Sequence, residues 1–125
     1  MPEQVKTSSP DNRKNIRYRT LARVHIHGIL GGESLLKDLS VTGCCVECTS
    51  LADIQPNNRY KLEIIPEKAA KIGKFELEVE VKWVRPGADS GEAGLAITAS
   101  PRGKLFQRYV DYLSWRAATG QSSPA

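Results

Sequence analysis

Residues 75–84 show the strongest periodicity in the chain. Apolar side chains occupy every second position from Phe75 to Trp83, and glutamate or lysine occupies the positions between them. A period of two is typical of a β-strand that buries one face and exposes the other. The pair Pro86–Gly87 then predicts the end of this strand. We therefore expect a sheet with one buried face, and we expect Trp83 to lie on that face together with Phe75.

Shorter segments of the same kind lie on both sides of this strand. They are separated by turn signals such as Gly31–Gly32 and Asn57–Asn58. The other predicted strands cover residues 21–27, 34–37 and 44–49, a run after Asn58 with Tyr60, Leu62 and Ile64 on one face, and residues 94–98. Short strands between turn signals favour a small antiparallel sandwich or barrel.

The C-terminal segment has the period of a helix instead. Ser100 is a suitable N-cap, and Pro101 fits the first turn. Apolar residues then recur at helical spacing at Leu105, Phe106, Tyr109, Val110, Tyr112 and Leu113. This pattern predicts an amphipathic helix over about residues 101–117. Its apolar stripe must be covered, either by an open face or end of the barrel or by a second copy of the chain.

Length and composition indicate one globular domain. The chain has 125 residues, 40% hydrophobic and 26% charged, with a formal net charge of +4. It has no apolar run near the roughly 18 residues of a membrane helix, and its N-terminus lacks the apolar core of a signal peptide. We expect a cytoplasmic protein without membrane insertion. The polar segments 1–11 and 119–125 are predicted to be flexible tails around a domain of residues 12–118.

Two short polar strings carry the functional signal. Arg13-Lys14-Asn15-Ile16-Arg17 lies near the start, and Asp38-Leu39-Ser40-Val41-Thr42-Gly43 follows after a strand-like segment. A guanidinium pairs with a phosphate or with the O6/N7 edge of guanine, and it also stacks on a base. A carboxylate accepts from the donors on the opposite guanine edge, and a glycine lets the backbone come close. The set suits a phosphorylated guanine compound.

In this order and on an all-β background, Arg13-x-x-x-Arg17 and Asp38-x-Ser40-x-x-Gly43 resemble the signature of PilZ domains, which are bacterial receptors for cyclic di-GMP. The resemblance spans about residues 12–115. It implies a mainly β fold, a six-stranded antiparallel β-barrel with a C-terminal α-helix. The arginine motif would lie on a flexible segment before the first strand, and the second motif on a strand beside it.

The resemblance also implies roles for individual residues. Arg13 and Arg17 would contact the guanine bases and phosphates of cyclic di-GMP. Asp38 and Ser40 would hydrogen-bond a guanine or the arginines, and Gly43 would keep the backbone clear. The asparagine that precedes the motif leaves open whether one ligand molecule or an intercalated pair binds. Trp83 is a further stacking candidate if it does not lie on the core face.

The expected function is therefore that of a non-enzymatic cyclic di-GMP receptor. Ligand binding would order the arginine segment against the barrel, and a downstream protein partner would read the change. One alternative is a nucleic-acid-binding β-barrel, suggested by the positive charge. Against it, few aromatic residues alternate with the basic ones, so we expect no nucleic acid partner. Another alternative is a PilZ-like adaptor that has lost ligand binding.

Cysteines and histidines offer a metal site as a further alternative. Cys44 and Cys48 share one strand face and Cys45 lies on the other, while His25 and His27 share a face of an earlier strand. Neither group provides four ligands at the usual spacing. We interpret the cysteines as buried small residues and expect no metal, no cofactor and no catalytic residue.

Overall fold

The alternating segments of the sequence form strands, and pairing around a barrel gives most of them a buried face. The computed structural model describes residues 16–29, 33–51, 54–100 and 103–119. The strands in these ranges are β1 (Tyr18–Arg19), β2 (Arg23–Ile26), β3 (Glu33–Leu39), β4 (Gly43–Cys48), β5 (Arg59–Ile65), β6 (Phe75–Pro86) and β7 (Gly91–Ala99). A 3-10 turn (Lys68–Ala70) lies between β5 and β6, and one helix, α1 (Gly103–Thr119), follows β7.

Six of these strands close into an antiparallel barrel. Their order is β3-β2-β5-β6-β7-β4, and pairing of β4 with β3 completes the circle. The two-residue β1 pairs with the end of β3 beyond the part that pairs with β2. The prediction of a mainly β fold, a six-stranded barrel with a C-terminal helix, is confirmed. The predicted tail 1–11, the turn at Gly31–Gly32, the helix start at 101–102 and the residues after Thr119 lie outside the described residues.

The barrel interior is filled with apolar side chains from every strand of the barrel. Members of this core with 0–1% exposure are Val24, Leu36, Leu39, Cys44, Val46, Leu62, Ile64, Leu77, Val79, Val81 and Ala93. Burial of this apolar surface is the main contribution to the stability of the fold. Because the side chains occupy the interior, a ligand the size of a dinucleotide must bind on the outside of the barrel.

Helix α1 covers one end of this core. Phe106, Tyr109, Val110 and Leu113 are buried, as the amphipathic pattern predicts. The rings of Phe106 and Tyr109 each lie 6.0 Å from the ring of Phe75, at the start of β6. The apolar stripe is therefore covered by the chain's own barrel. None of the described helical residues forms a segment long and apolar enough to cross a membrane.

Three register shifts interrupt the strand pairing of the described residues, and two of them are β-bulges that bear on the candidate site. Lys37 is the extra residue in β3, so that Leu36 and Leu39 both point inward while Lys37 and Asp38 both point outward. Lys82 is the extra residue in β6, where Val81 pairs with Leu95 but Trp83 pairs with Gly94. The prediction that Trp83 lies on the core face is wrong, because this bulge turns its side chain to the outer face, where it is 40% exposed.

Candidate functional site

Arg17 and Asp38 form an ion pair on the outer face of the barrel. Nη1 of Arg17 lies 2.8 Å from Oδ1 of Asp38, with 52% and 29% of the two side chains exposed. The pairing of Arg19 with Asp38 in strands β1 and β3 sets this approach. The structure thus brings the second arginine of the first string to the aspartate of the second. Arg13 lies outside the described residues.

Ser40 builds the tight turn between β3 and β4. Its side chain is 1% exposed. The hydroxyl accepts hydrogen bonds from the backbone N–H groups of Thr42 (3.2 Å) and Gly43 (3.1 Å), and it donates to the carbonyl of Gly43 at 3.2 Å. These bonds fix the turn that connects β3, which contains Asp38, to β4, which begins at Gly43. The structure therefore places Ser40 inside the turn between β3 and β4, where it fixes the shape of the turn.

Gly43 lies under the guanidinium of Arg17 and against strand β7. A Cβ atom at this position would lie 3.7 Å from Nη2 of Arg17, which is an ordinary contact. The same atom would lie only 2.8 Å from the backbone carbonyl oxygen of Leu95, which is too close. The close packing of β4 on β7 requires glycine here, and the expectation that Gly43 keeps the backbone clear for a ligand stays a prediction.

A row of outward-facing residues crosses four strands beside this ion pair. Asp38 on β3 pairs with Cys45 on β4, Cys45 pairs with Gly94 on β7, and Gly94 pairs with Trp83 on β6. Three strand spacings separate the ends of the row, or about 14 Å. We call these four residues the outer wall. Cys45 and Gly94, in the middle of the wall, have small side chains that do not project far from the barrel. The two end positions carry the carboxylate of Asp38 and the indole of Trp83.

The indole of Trp83 lies flat over Gly94. A Cβ atom on Gly94 would lie 2.2 Å from ring atoms of Trp83. The guanidinium carbon of Arg85 lies 4.9 Å from the centre of the indole, a cation–π geometry. Sequence reasoning considered Cys45 only as a metal ligand or a buried small residue and Gly94 only as the start of a strand, and it placed neither at the ligand site. An isolated glycine inside a strand pattern was the available signal, since it often marks the close approach of another group.

Cationic side chains border the outer wall. Lys37 donates a hydrogen bond to Glu92, and Nη2 of Arg85 lies 3.3 Å from the other oxygen of Glu92. The hydrogen bond raises the pKa of Lys37 and lowers the pKa of Glu92, so both groups are charged at neutral pH. With Arg17, three cations lie beside the wall, and the carboxylates of Asp38, Glu92 and Glu47 balance them.

The three cysteines are buried and not in disulfides. Burial, with the nearby Asp38 and Glu92 carboxylates, raises the pKa of the Cys45 thiol. Burial also raises the pKa of Cys44, to about 12. Both side chains are therefore thiols at neutral pH. His25 and His27 lie with their rings 5.4 Å apart, and among the described residues there is no group of three or more side chains that could hold a metal ion.

A groove of about 840 Å³ runs from Arg17 along β1 to the end of α1. Its walls include Thr20 and Lys37 on the barrel side and Leu113 and Arg116 on the helix side. The groove shares Arg17 with the ion pair described above. The outer wall and the helix are thus connected through the short segment that contains β1.

Comparison with known proteins identifies the architecture. The PilZ domain family profile matches residues 11–113. The PilZ domain of YcgR from Escherichia coli, solved with c-di-GMP, is similar with a TM-score of 0.67 and 14% identity, over 86% of this chain and 95% of that one. The Bacillus subtilis inhibitor of motility, MotI/DgrA, is similar with a TM-score of 0.67 and 19% identity over 83% of this chain. This chain spans 50% of the Bacillus protein's length. A search of curated proteins found no significant match.

Proposed function

The chain belongs to the PilZ domain family, and we propose that it is a receptor for cyclic di-GMP and not an enzyme. The observation that carries the proposal is the Arg17–Asp38 ion pair at 2.8 Å on the outer face of the barrel. It joins the two strings that define the family resemblance. The similar fold of the YcgR domain, which was solved with this ligand, supports the same conclusion.

The chemistry of the pair suits a guanine dinucleotide. Asp38 holds one side of the Arg17 guanidinium, and half of the arginine side chain stays exposed to meet a ligand. A guanidinium held in this way is preorganised for stacking on a base or for bidentate pairing with phosphate. The ligand carries two negative charges and two guanines, so Arg13 and Arg17 would act both as counter-ions and as stacking surfaces. Asp38 would accept from guanine N–H groups.

The outer wall offers a second contact for the ligand. The ring of Trp83 lies over Gly94, two strand spacings or about 10 Å from β3, and Cys45 lies between it and Asp38. The Arg85 guanidinium lies over this ring, so a base would stack on that guanidinium or take its place on the indole, where stacking contributes about 1–3 kcal/mol. We include Trp83 in the proposed site with Arg13, Arg17 and Asp38. Ser40 and Gly43 contribute to the same site by fixing the turn beneath it.

The proposed signal is a change in the surface around β1. Ligand binding would order the arginine segment and bring residues 1–17 against the barrel of the proposed domain (residues 12–118). A protein partner would then read the new surface. The proposal includes a cytoplasmic location and neither nucleic acid binding nor membrane insertion.

Isothermal titration calorimetry with cyclic di-GMP tests the proposal. We expect wild-type protein to bind and the double variant Arg13→Ala/Arg17→Ala to lose at least about thirtyfold in affinity, because each arginine contact contributes about 1–3 kcal/mol. The matched control is Lys74→Ala. Lys74 is also an exposed cation in an ion pair, with its Nζ 3.2 Å from Oε2 of Glu63. It lies just before the start of β6, whereas Trp83 lies near the end of that strand.

The control variant should bind as tightly as wild type. Equal binding by the double variant would refute the proposed site, and no binding by wild type would refute the proposed ligand. Binding to single-stranded RNA with a steep salt dependence, without a response to cyclic di-GMP, would favour a nucleic-acid-binding barrel instead.

A further inference from the structure

Arg116 is a buried cation that connects helix α1 to strand β1. Its side chain is 9% exposed. Nη1 donates to Oε2 of Glu67 at 2.9 Å, and Nη2 donates to the backbone carbonyl of Arg19. The carboxylate of Glu67 also accepts from the hydroxyl of Tyr109 at 2.6 Å. One end of the guanidinium is thus fixed to Glu67, in the segment between β5 and the 3-10 turn, while the other end holds the backbone of β1.

Strand β1 needs an anchor of this kind. It is two residues long and pairs on one side with β3. So short a strand makes few ladder bonds of its own, and an edge segment with few buried contacts opens locally at low free energy. The anchored residue, Arg19, is the one that pairs with Asp38. Any outward movement of β1 therefore carries Arg17 away from Asp38.

Packing alone does not explain a guanidinium at this position. A buried ion pair can often be replaced by apolar residues of similar volume without loss of stability. Nε of Arg116 is buried and has no hydrogen-bond partner in the part of the chain that the structure describes. This unpaired donor is a further cost. A side chain that costs stability but binds two separate segments is suited to fixing their relative position.

We propose that Arg116 is a positioning residue for the ligand site. By holding the Arg19 carbonyl, it keeps β1 on the barrel and presents Arg17 to Asp38 and to the ligand. The inference rests on the proposed function for its effect on ligand affinity, but the position of β1 is a property of the free protein. Because coupling is reciprocal, ligand binding must also tighten the contact between β1 and α1.

The test compares Arg116→Met with Tyr109→Phe. Each variant removes one hydrogen bond to the Glu67 carboxylate, so each should lower Tm. Tyr109→Phe also removes the contact of the hydroxyl with the Thr20 side chain, but only Arg116→Met removes the bond to the backbone carbonyl of Arg19. If β1 stays on the barrel in only about one Arg116→Met molecule in ten, the affinity for cyclic di-GMP measured by calorimetry falls about tenfold. Tyr109→Phe should stay within about twofold of wild type, since the contact with Arg19 remains.

Amide exchange measured by NMR without ligand gives a second readout. The N–H of Thr20 donates to the carbonyl of Lys37 at 3.2 Å, next to the anchored residue. This N–H should exchange faster in Arg116→Met and remain protected in Tyr109→Phe. Arg116→Lys should lie between, because a lysine ammonium lacks the fork that reaches both acceptors. It also gives a folded variant if Arg116→Met does not fold.

These measurements distinguish the proposed cyclic di-GMP receptor function from the proposed positioning role of Arg116. If wild type does not bind cyclic di-GMP, the proposed function fails, and exchange at Thr20 still tests the role of Arg116. If wild type binds and Arg116→Met binds equally well with Thr20 still protected, the positioning role is refuted. It is also refuted if Tyr109→Phe loses as much affinity as Arg116→Met, because the effect would then follow general stability.

Discussion

The variant Gly43→Ala distinguishes two explanations of why glycine occupies the last position of the Asp38–Gly43 string. The expectation from the family resemblance is that glycine keeps the backbone clear for the ligand. The structure provides a different reason. A Cβ atom would lie 2.8 Å from the Leu95 carbonyl oxygen, which is 0.6 Å short of an ordinary 3.4 Å contact (3.4 minus 2.8). Since that oxygen belongs to the backbone of β7, the two strands must move apart to admit a methyl group.

The expected cost follows from this overlap. Overpacking of a well-packed region costs about 1–3 kcal/mol in the free energy of unfolding. For a domain of this length, that corresponds to a fall in Tm of roughly 4–12 °C. Thermal and urea unfolding of the ligand-free protein measure the change. The methyl group makes an ordinary 3.7 Å contact with Arg17, so no direct displacement of that side chain is expected.

Gly73→Ala is the matched control. Gly73 lies in an exposed turn, nothing lies within 4 Å of a Cβ atom built on it, and its φ is not left-handed. Alanine at such a site should leave stability unchanged or raise it by up to about 1 kcal/mol. If Gly43→Ala unfolds at the wild-type temperature and only ligand affinity falls, the packing explanation is wrong. If Gly73→Ala loses as much stability as Gly43→Ala, the effect is not specific to the site.

Two further predictions follow from contacts elsewhere. Gly94→Ala should lift the indole of Trp83 off the outer wall, shift tryptophan emission to the red and destabilise the fold. Addition of Trp83→Ala should remove the clash and restore about 1 kcal/mol, and additive losses in urea unfolding would contradict this. Burial and the hydrogen bond to Glu67 raise the pKa of Tyr109. The stability that Tyr109 contributes is therefore fully present below its unfolded pKa of about 10 and is lost as pH rises beyond that value. Wild type should lose urea resistance above pH ~10 more steeply than Tyr109→Phe, and parallel curves would refute this.

Periodicity predicted the faces of β6 correctly as far as the strand stays regular. Phe75 and Val81 are buried as expected, with the alternate positions between them. It failed at Trp83 because Lys82 is inserted as a bulge opposite β7. A count of residues along one strand contains no information about the partner strand, which decides where an extra residue is accommodated. The amphipathic pattern of α1 was a reliable signal because it depends on local spacing alone.

The site shows the same division between local and long-range information. The two strings predicted that Arg17 and Asp38 come within reach of one ligand, and the structure brings these side chains into contact. Their role in binding stays a prediction. Cys45 and Gly94 belong to the wall only because β4 pairs with β7, whose residues lie some fifty positions apart in the chain. No single segment of the sequence indicates that pairing.

The filled barrel explains why the position of β1 matters so much for this site. A ligand excluded from the interior can be held only between the outer wall and a segment that covers it from outside. Pairing with β4 fixes Asp38 in the barrel, and pairing with β7 fixes Trp83. Arg17 is joined to that frame by a two-residue strand, the Asp38 ion pair and the contact of Arg116 with Arg19. Holding Arg17 in place costs free energy, and this cost weakens ligand binding. The apparent affinity scales with the fraction of molecules in which Arg17 is already in the position that binds the ligand. If the proposed function holds, residues that touch no ligand, on the far side of β1, set how tightly the site binds.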